Sequence, residues 1–244
     1  MRYAIISDVH SNLEALSAVI SKIAGLKTDR ILCLGDIVGY NANPNEVIDI
    51  LKSEKALCII GNHDAVACGL REPNNFNPLA KRAALWSREQ LTDESRAFLR
   101  DLPKELKVDD FFIFHGSIHD TDRYILYKED IKENFQLLKK LTGQPRMGFF
   151  GHTHVRTAYI NDSDVISVDL SIELPLSPSR KYLINPGSVG QPRDYDPRAS
   201  FLIYDTIEQK VTFFRTDYDI AACQDKIIKA GLPSQLATRL EMGW

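Results

Sequence analysis

The chain has 244 residues, 44% of them hydrophobic and 26% charged, with a formal net charge of −3. That composition is ordinary for a globular chain with a sizeable core, and it provides no basic field, which argues against a dedicated nucleic-acid binder because phosphate contacts need clustered Lys and Arg. No apolar run approaches the length that crosses a bilayer, the start of the chain lacks a signal-peptide pattern, and the four cysteines show no C-x-x-C pairing, so a reducing, cytoplasmic setting is expected.

In chain order, Tyr3 to Ser7 reads as a strand with Asp8-Val9-His10 at its carboxyl end. Ser11 and Glu14 form a candidate capping box for a helix whose apolar face is Leu13, Leu16, Val19, Ile20 and Ile23, with Gly25 at its end. Arg30 to Leu34 is a second strand, followed by Gly35-Asp36, and Asn43-Pro44 opens a second helix. Ala56 to Ile60 is a third strand leading into Gly61-Asn62-His63-Asp64. This β-α-β-α-β alternation predicts a parallel sheet with ligands at the carboxyl ends of its strands.

Residues 71–105 read as mostly helical, with starts at Asn77-Pro78 and Thr92, and their place relative to the strand ends is open. Phe111 to Phe114 is a strand ending in His115-Gly116, Asp130 to Leu141 is an amphipathic helix, and Arg146 to Phe150 is a strand ending in Gly151-His152-Thr153-His154. From Arg156 onward, five strand-like runs with short connections suggest an antiparallel second sheet, interrupted by the turn-rich stretch Asn185 to Asp194. Residues 217–244 read as two helices divided near Gly231-Leu232-Pro233. The expected organisation is a single domain over 1–244, with a helical insert at about 71–105.

Five of the six histidines follow strands: His10, His63, His115, His152 and His154, in company with Asp8, Asp36 and Asn62. Carboxylate oxygen and imidazole nitrogen are the donors that borderline divalent metals take. Asp8 and His10, like His152 and His154, are two apart and point to one side of an extended chain. Asp36 is the unpaired carboxylate suited to bridge two metals, and the donors suffice for two ions with open positions for water and substrate. Elsewhere, Ser117 and Ser188 read as turn formers, His119 as a rim residue, Lys139-Lys140 as a solvated helix face and Trp86 as packing.

The order Asp8-x-His10, Gly35-Asp36-x-x-Gly39, Gly61-Asn62-His63-Asp64, His115-Gly116, Gly151-His152-x-His154 resembles the calcineurin-like metallophosphoesterase superfamily, and more closely its small bacterial and archaeal phosphodiesterase-like branch. The resemblance implies a four-layer α/β/β/α sandwich of two mixed sheets flanked by helices. It implies one metal held by Asp8, His10, Asp36 and His154, and a second held by Asp36, Asn62, His115 and His152. His63 is then a catalytic residue rather than a ligand: it stabilises transition-state charge and protonates the leaving oxygen. Asp64 is grouped with His63 as the hydrogen-bond partner that shapes the turn. Asn62 and Arg193 are the substrate-binding candidates. A bridging hydroxide attacks phosphorus in line, without a covalent phospho-enzyme.

The departures also matter. The protein phosphatases and dinucleoside tetraphosphatases of the superfamily carry a Gly-Asp-x-Val-x-Arg-Gly type motif, whereas Gly35-Asp36-Ile37-Val38-Gly39-Tyr40-Asn41 lacks its Arg and lacks the Asp that supports the catalytic His in protein phosphatases. Arg193 is the candidate to restore the missing positive charge if its loop reaches the site. The expected function is metal-dependent hydrolysis of phosphodiesters, on a small phosphoester or nucleotide-like substrate. Mn²⁺ is the expected metal, and Fe, Zn, Ni and Co also suit the donor set. The alternatives are a phosphomonoesterase or nucleotide pyrophosphatase and, in another class, a protein-binding module on the same fold.

Overall fold

The computed structural model describes residues 1–244. Its elements in order are β1 (Arg2–Ile6), α1 (Leu13–Ala24), β2 (Arg30–Cys33), α2 (Pro44–Ser53), β3 (Leu57–Cys58), α3 (Asn62–Ala67), α4 (Pro78–Gln90), α5 (Asp93–Arg100), β4 (Glu105–Val108), β5 (Phe111–Phe114), α6 (Lys128–Lys140), β6 (Met147–Phe149), β7 (Thr157–Asp162), β8 (Val165–Asp169), β9 (Glu173–Pro175), β10 (Lys181–Asn185), β11 (Ala199–Asp205), β12 (Lys210–Thr216), α7 (Ile220–Lys229) and α8 (Ser234–Met242). They form two six-stranded mixed sheets, in the orders β3-β2-β1-β11-β12-β9 and β4-β5-β6-β10-β7-β8. No helix is long and apolar enough to cross a membrane.

The layering follows from side-chain alternation along the strands. In β1, Tyr3 and Ile5 face the other sheet and join a cluster with Phe111, Phe149, Tyr182 and Tyr204, while Ala4 and Ile6 turn outward onto Leu16, Val19, Val47 and Ile48 of α1 and α2. β5 divides in the same way: Phe111 and Ile113 lie between the sheets, and Phe112 and Phe114 lie under α6 with Phe135 and Leu138. The result is the expected four-layer sandwich. α7 and α8 pack with α4 and Tyr40 in a separate apolar cluster.

The expected parallel run holds for β1, β2 and β3. The runs after Arg156 do not form a sheet of their own. β11 inserts antiparallel beside β1 and carries β12 and β9 with it, whereas β10 pairs parallel to β6 and carries β7 and β8. Each sheet therefore contains parallel and antiparallel pairs. Three short elements add to the expectations. β4 forms a hairpin with β5 across Asp109-Asp110, with Asp109 at φ 47°. β9 is a three-residue edge strand. The polar stretch after β3 begins a helix, α3, rather than a plain turn. The cap of α1 is Asn12, whose side chain accepts from Ala15 N at 3.0 Å; Ser11 Oγ is instead the acceptor for Gly39 N.

Candidate dinuclear metal centre

Every candidate side chain sits where a strand ends. β1 delivers Asp8 and His10, β2 delivers Asp36, and the β3–α3 junction delivers Asn62 and His63. The facing sheet supplies His115 after β5, and His152 and His154 after β6. All are buried. Asp8, His10, Asp36 and His154 present ligand atoms within 4.8 Å of one another, and so do Asp36, His115 and His152, with Asp36 common to both groups.

The backbone reaches this arrangement in a way the spacing did not suggest. Asp8, His10, Asp36, His152 and His154 all have positive φ, between 48° and 65°, so neither two-apart pair is on extended chain. Such conformations cost about 1–3 kcal/mol each and persist only where surrounding structure holds them. Here Asp8 N bonds Gly35 O at 3.1 Å and His10 N bonds Asp36 O at 2.9 Å, and Gly190 N from the 186–198 loop bonds Asp8 O at 2.9 Å. Close approach is needed as well: a Cβ on Gly61 would lie 2.1 Å from Asp36 Oδ1.

Four histidines share one device. His10 Nδ1 meets Val38 O at 3.1 Å, His115 Nδ1 meets Leu34 O at 2.8 Å, His152 Nε2 meets Asp122 O at 3.0 Å, and His154 Nδ1 meets Gln191 O at 2.6 Å. A ring nitrogen that donates to a carbonyl leaves the other nitrogen's lone pair for a metal. Those other nitrogens converge: His10 Nε2 is 3.1 Å from His154 Nε2, 3.5 Å from Asp36 Oδ2 and 4.0 Å from Asp8 Oδ1. Burial holds His10 and His154 well below the ordinary histidine range and takes His152 down to about 3, so these rings stand neutral. Burial acts to lower His115 too, but Asp36, 3.3 Å away, and then Asp8 outweigh it and hold it up at about 9. Burial acts to raise Asp36, and His115, His63 and His10 overcome that and hold it well below the usual carboxylate range.

Asn62 gives the sharpest test of fit. The end of its amide turned into the cluster lies 3.3 and 3.1 Å from Asp36 Oδ1 and Oδ2, 3.2 Å from His152 Nδ1 and 3.1 Å from His115 Nε2. An oxygen at that place faces the Asp36 carboxylate and the neutral His152 ring, with only the His115 ring, held protonated by Asp36 and Asp8, able to donate to it. A cation resolves the conflict, and a rotated amide resolves it without one. The donor set as a whole therefore fits divalent metal at two adjacent positions.

His63 is set apart. Its Nδ1 is buried without a partner, and its ring is enclosed by Tyr40 and Phe76 at 4.6 Å each and His10 at 4.8 Å between centroids. Behind it lies Gly39, at φ +109°, where a Cβ would sit 2.6 Å from His63 Nδ1. The position after Val38 thus carries no carboxylate, because no side chain fits there. Burial lowers His63 to about 4, against the field of Asp36. Asp64 does not reach His63. Its Oδ1 accepts from Val38 N and its Oδ2 from Gly61 N, both at 2.9 Å, so it builds the turn and the start of α3 and lines no part of the cavity.

These groups floor a cavity of about 130 Å³. Asp36, Asn62, His63, His152 and His154 line it together with Arg193, Tyr40, Asn75, Phe76, Asp122 and Tyr124. The 186–198 loop does bring Arg193 in: its Nη2 donates to Tyr40 Oη and Gln191 Oε1, both at 3.2 Å, and its backbone N bonds His154 O. The helical segment after α3 forms one wall, through Phe76 and Ala80. Sequence reasoning missed Asp122, Tyr124 and Phe76. The stretches carrying them have no motif, and only the aromatic residues, in otherwise polar loops, hinted at a role. Tyr124 stacks on His152 at 4.1 Å.

The sequence profile of the calcineurin-like phosphoesterase superfamily domain matches residues 1–209. An uncharacterised protein of Methanocaldococcus jannaschii is 36% identical over 248 residues, covering 98% of this chain and 97% of that protein. The crystal structure of a metallophosphoesterase from Sphaerobacter thermophilus is 38% identical, superposes with a TM-score of 0.87 and covers 100% of this chain and 99% of the other. A hypothetical protein from Pyrococcus horikoshii, 23% identical with a TM-score of 0.79 over 100% of this chain and 98% of its own, shares the fold.

Proposed function

The chain belongs to the calcineurin-like phosphoesterase superfamily and is a phosphoric ester hydrolase, and we propose that it cleaves phosphodiesters with the help of two divalent metal ions, Mn²⁺ foremost. Asp8, His10, Asp36 and His154 would hold one ion; Asp36, Asn62, His115 and His152 would hold the other. When bound, such a pair supplies Lewis acidity toward phosphoryl oxygens and an activated water. The rest falls to the chain's own side chains. Arg193 holds a phosphoryl oxygen by a charge-assisted hydrogen bond. His63, the one histidine of the site with no carbonyl on its ring, gives a proton to the leaving oxygen. The negative charge of a bound phosphoryl group favours the protonated imidazole against the burial that lowers it. Phe76 and Tyr40 keep water from the ring.

One observation carries the diester reading. Arg193 is the sole Lys or Arg lining the cavity, and its walls combine the rings of Tyr40, Phe76 and Tyr124 with the polar side chains of Asn75, Asn77 and Asp122. A diester carries two substituents, and beside the two metal positions this site offers one side-chain cation and aromatic surface on more than one side.

The experiment is hydrolysis of bis-p-nitrophenyl phosphate beside p-nitrophenyl phosphate, with chelated protein re-supplied with Mn²⁺ and with His63→Ala as the control. Diester turnover that needs both metal and His63 is the expected result, with His63→Ala retaining metal and losing roughly a hundredfold or more in rate. Monoester-only turnover would replace this reading with a phosphomonoesterase. No turnover with metal still bound would point to a binding module.

A further inference from the structure

The 115–127 loop is fixed on either side of one residue. Asp122 pairs with Arg71 at 2.5 Å, and its carbonyl meets His152 Nε2 at 3.0 Å. Arg123 pairs with Asp130 at 2.9 Å and with Glu133 at 2.7 Å. Ile125 is fully buried with Phe135 and Leu138 of α6, and its carbonyl accepts from Tyr159 Oη at 3.2 Å. Tyr124 lies between these anchors. Its ring is set nearly flat on His152, with 4.1 Å between centroids and 27° between planes.

One face of that ring rests on the imidazole. Tyr124 is nevertheless 42% exposed, and it lines the same cavity as Asp36, Asn62 and His63. The other two aromatic rings of the cavity are occupied. Tyr40 is 3% exposed and packs against His10 and His63. Phe76 lies against His63 at 4.6 Å, with the Arg71 guanidinium 5.8 Å from its ring. Tyr124 is thus the ring with the broadest free surface, and it stands directly beside a candidate metal ligand. Its neighbours already hold the loop in place, so little ordering is left to be done when a ligand arrives.

Resting on the phosphoester reading of the cavity, we propose that Tyr124 determines specificity: its outer face stacks a planar ring of the substrate, which is therefore a phosphoester with an aromatic or heteroaromatic substituent. Imidazole, phenol and substrate ring then form one stack beside the metal positions. Offset-stacked rings gain affinity beyond the area they bury. A saturated ring of the same size meets the same surface with more apolar area and without that gain. The stack also fixes the direction in which the substituent leaves the phosphoryl group.

The test is calorimetric titration of the Mn²⁺-loaded protein with two probes, methyl(2-phenylethyl)phosphinate and methyl(2-cyclohexylethyl)phosphinate. Each is a monoanion with no P–O–C bond to cleave, and the two differ in the planarity of the ring. The phenyl probe should bind the wild-type protein about fivefold more tightly, although cyclohexyl is the more hydrophobic group. Tyr124→Phe should keep that ratio. Tyr124→Leu still covers His152 with an apolar side chain, and it should bring the ratio down toward one. Metal content by mass spectrometry is read on each variant. If Tyr124 merely props His152, Tyr124→Leu weakens both probes alike or loses metal while the ratio stands, and that result would overturn the proposal. Equal binding of the two probes by the wild-type protein would overturn it too and would leave the phosphoester reading intact. Failure of both probes to bind would strike at both. No turnover is involved, so a negative diester assay leaves the ratio readable.

Discussion

At the scale of single residues, the site separates histidines anchored on backbone carbonyls from one that is not. The four carbonyl-anchored histidines are held in orientation, and the other nitrogen of each ring is fixed on the cluster. His63 has neither anchor nor carboxylate. Asp36 is the one carboxylate common to both ligand groups, and it also accepts from His63 N at 2.8 Å. Asp36→Asn should therefore empty both positions together and lower activity on the order of a thousandfold; metal content by mass spectrometry should fall to near zero rather than to half. Arg193 touches no ligand carboxylate, so Arg193→Ala should raise KM roughly tenfold while kcat and metal content change little. The identities of these residues were legible in the sequence because each follows an apolar run and carries a metal-compatible donor. Their geometry was not. Spacing by two suggested extended chain, whereas left-handed backbone delivers the side chains. Asp64, read as the hydrogen-bond partner that shapes the turn, accepts from Val38 N and Gly61 N and does not reach His63.

At the scale of elements, the segment just beyond α3 meets the 115–127 loop beside the site. Arg71, just beyond α3, makes a bidentate pair with Asp122, both bonds at 2.5 Å, and the Asp122 carbonyl orients His152. Arg71→Ala should loosen His152 without touching His154. A metal titration should show one of two binding steps weakened about tenfold or more, with the other unchanged and the fold intact by circular dichroism. The helices of the 71–105 segment were readable from their caps: Asn77 accepts from Ala80 N and Thr92 from Ser95 N. Their position was not, since α4 docks through Ala80 and Ala83 onto α7 and α8, which lie far along the chain. The strands β4 and β9 escaped notice for local reasons. β4 follows helical sequence directly and turns through only two residues, and β9 is three residues long and ends in a proline.

At the scale of the whole molecule, the two ligand groups span both sheets. Asp8, His10, Asp36 and Asn62 come from one sheet, and His115, His152 and His154 from the other. Bound metal therefore fastens the layers together and should stabilise the entire fold. At free metal about a hundredfold above Kd, each ion adds roughly 2.7 kcal/mol, so chelation of both should lower Tm by about 10–20 °C for a chain of this length. Calorimetric scans with and without chelator check this, and Asp36→Asn should melt alike in both. The parallel start of the first sheet was legible from the alternation of strands and helices. The allocation of β7 to β12 was not, because it is settled by which sheet edge each strand meets in space, and no short-range pattern encodes that.

The position of β11 beside β1 bears on how the molecule is born. β1 has its parallel partner β2 close by in the chain, yet its other edge waits for β11, nearly two hundred residues further on. At about 5–20 residues per second, that edge stays open for about ten to forty seconds. An unpaired central strand rich in Tyr, Ala and Ile is adhesive while it waits. Until β11 closes it, that open edge is the part of the emerging sheet most exposed to mispairing.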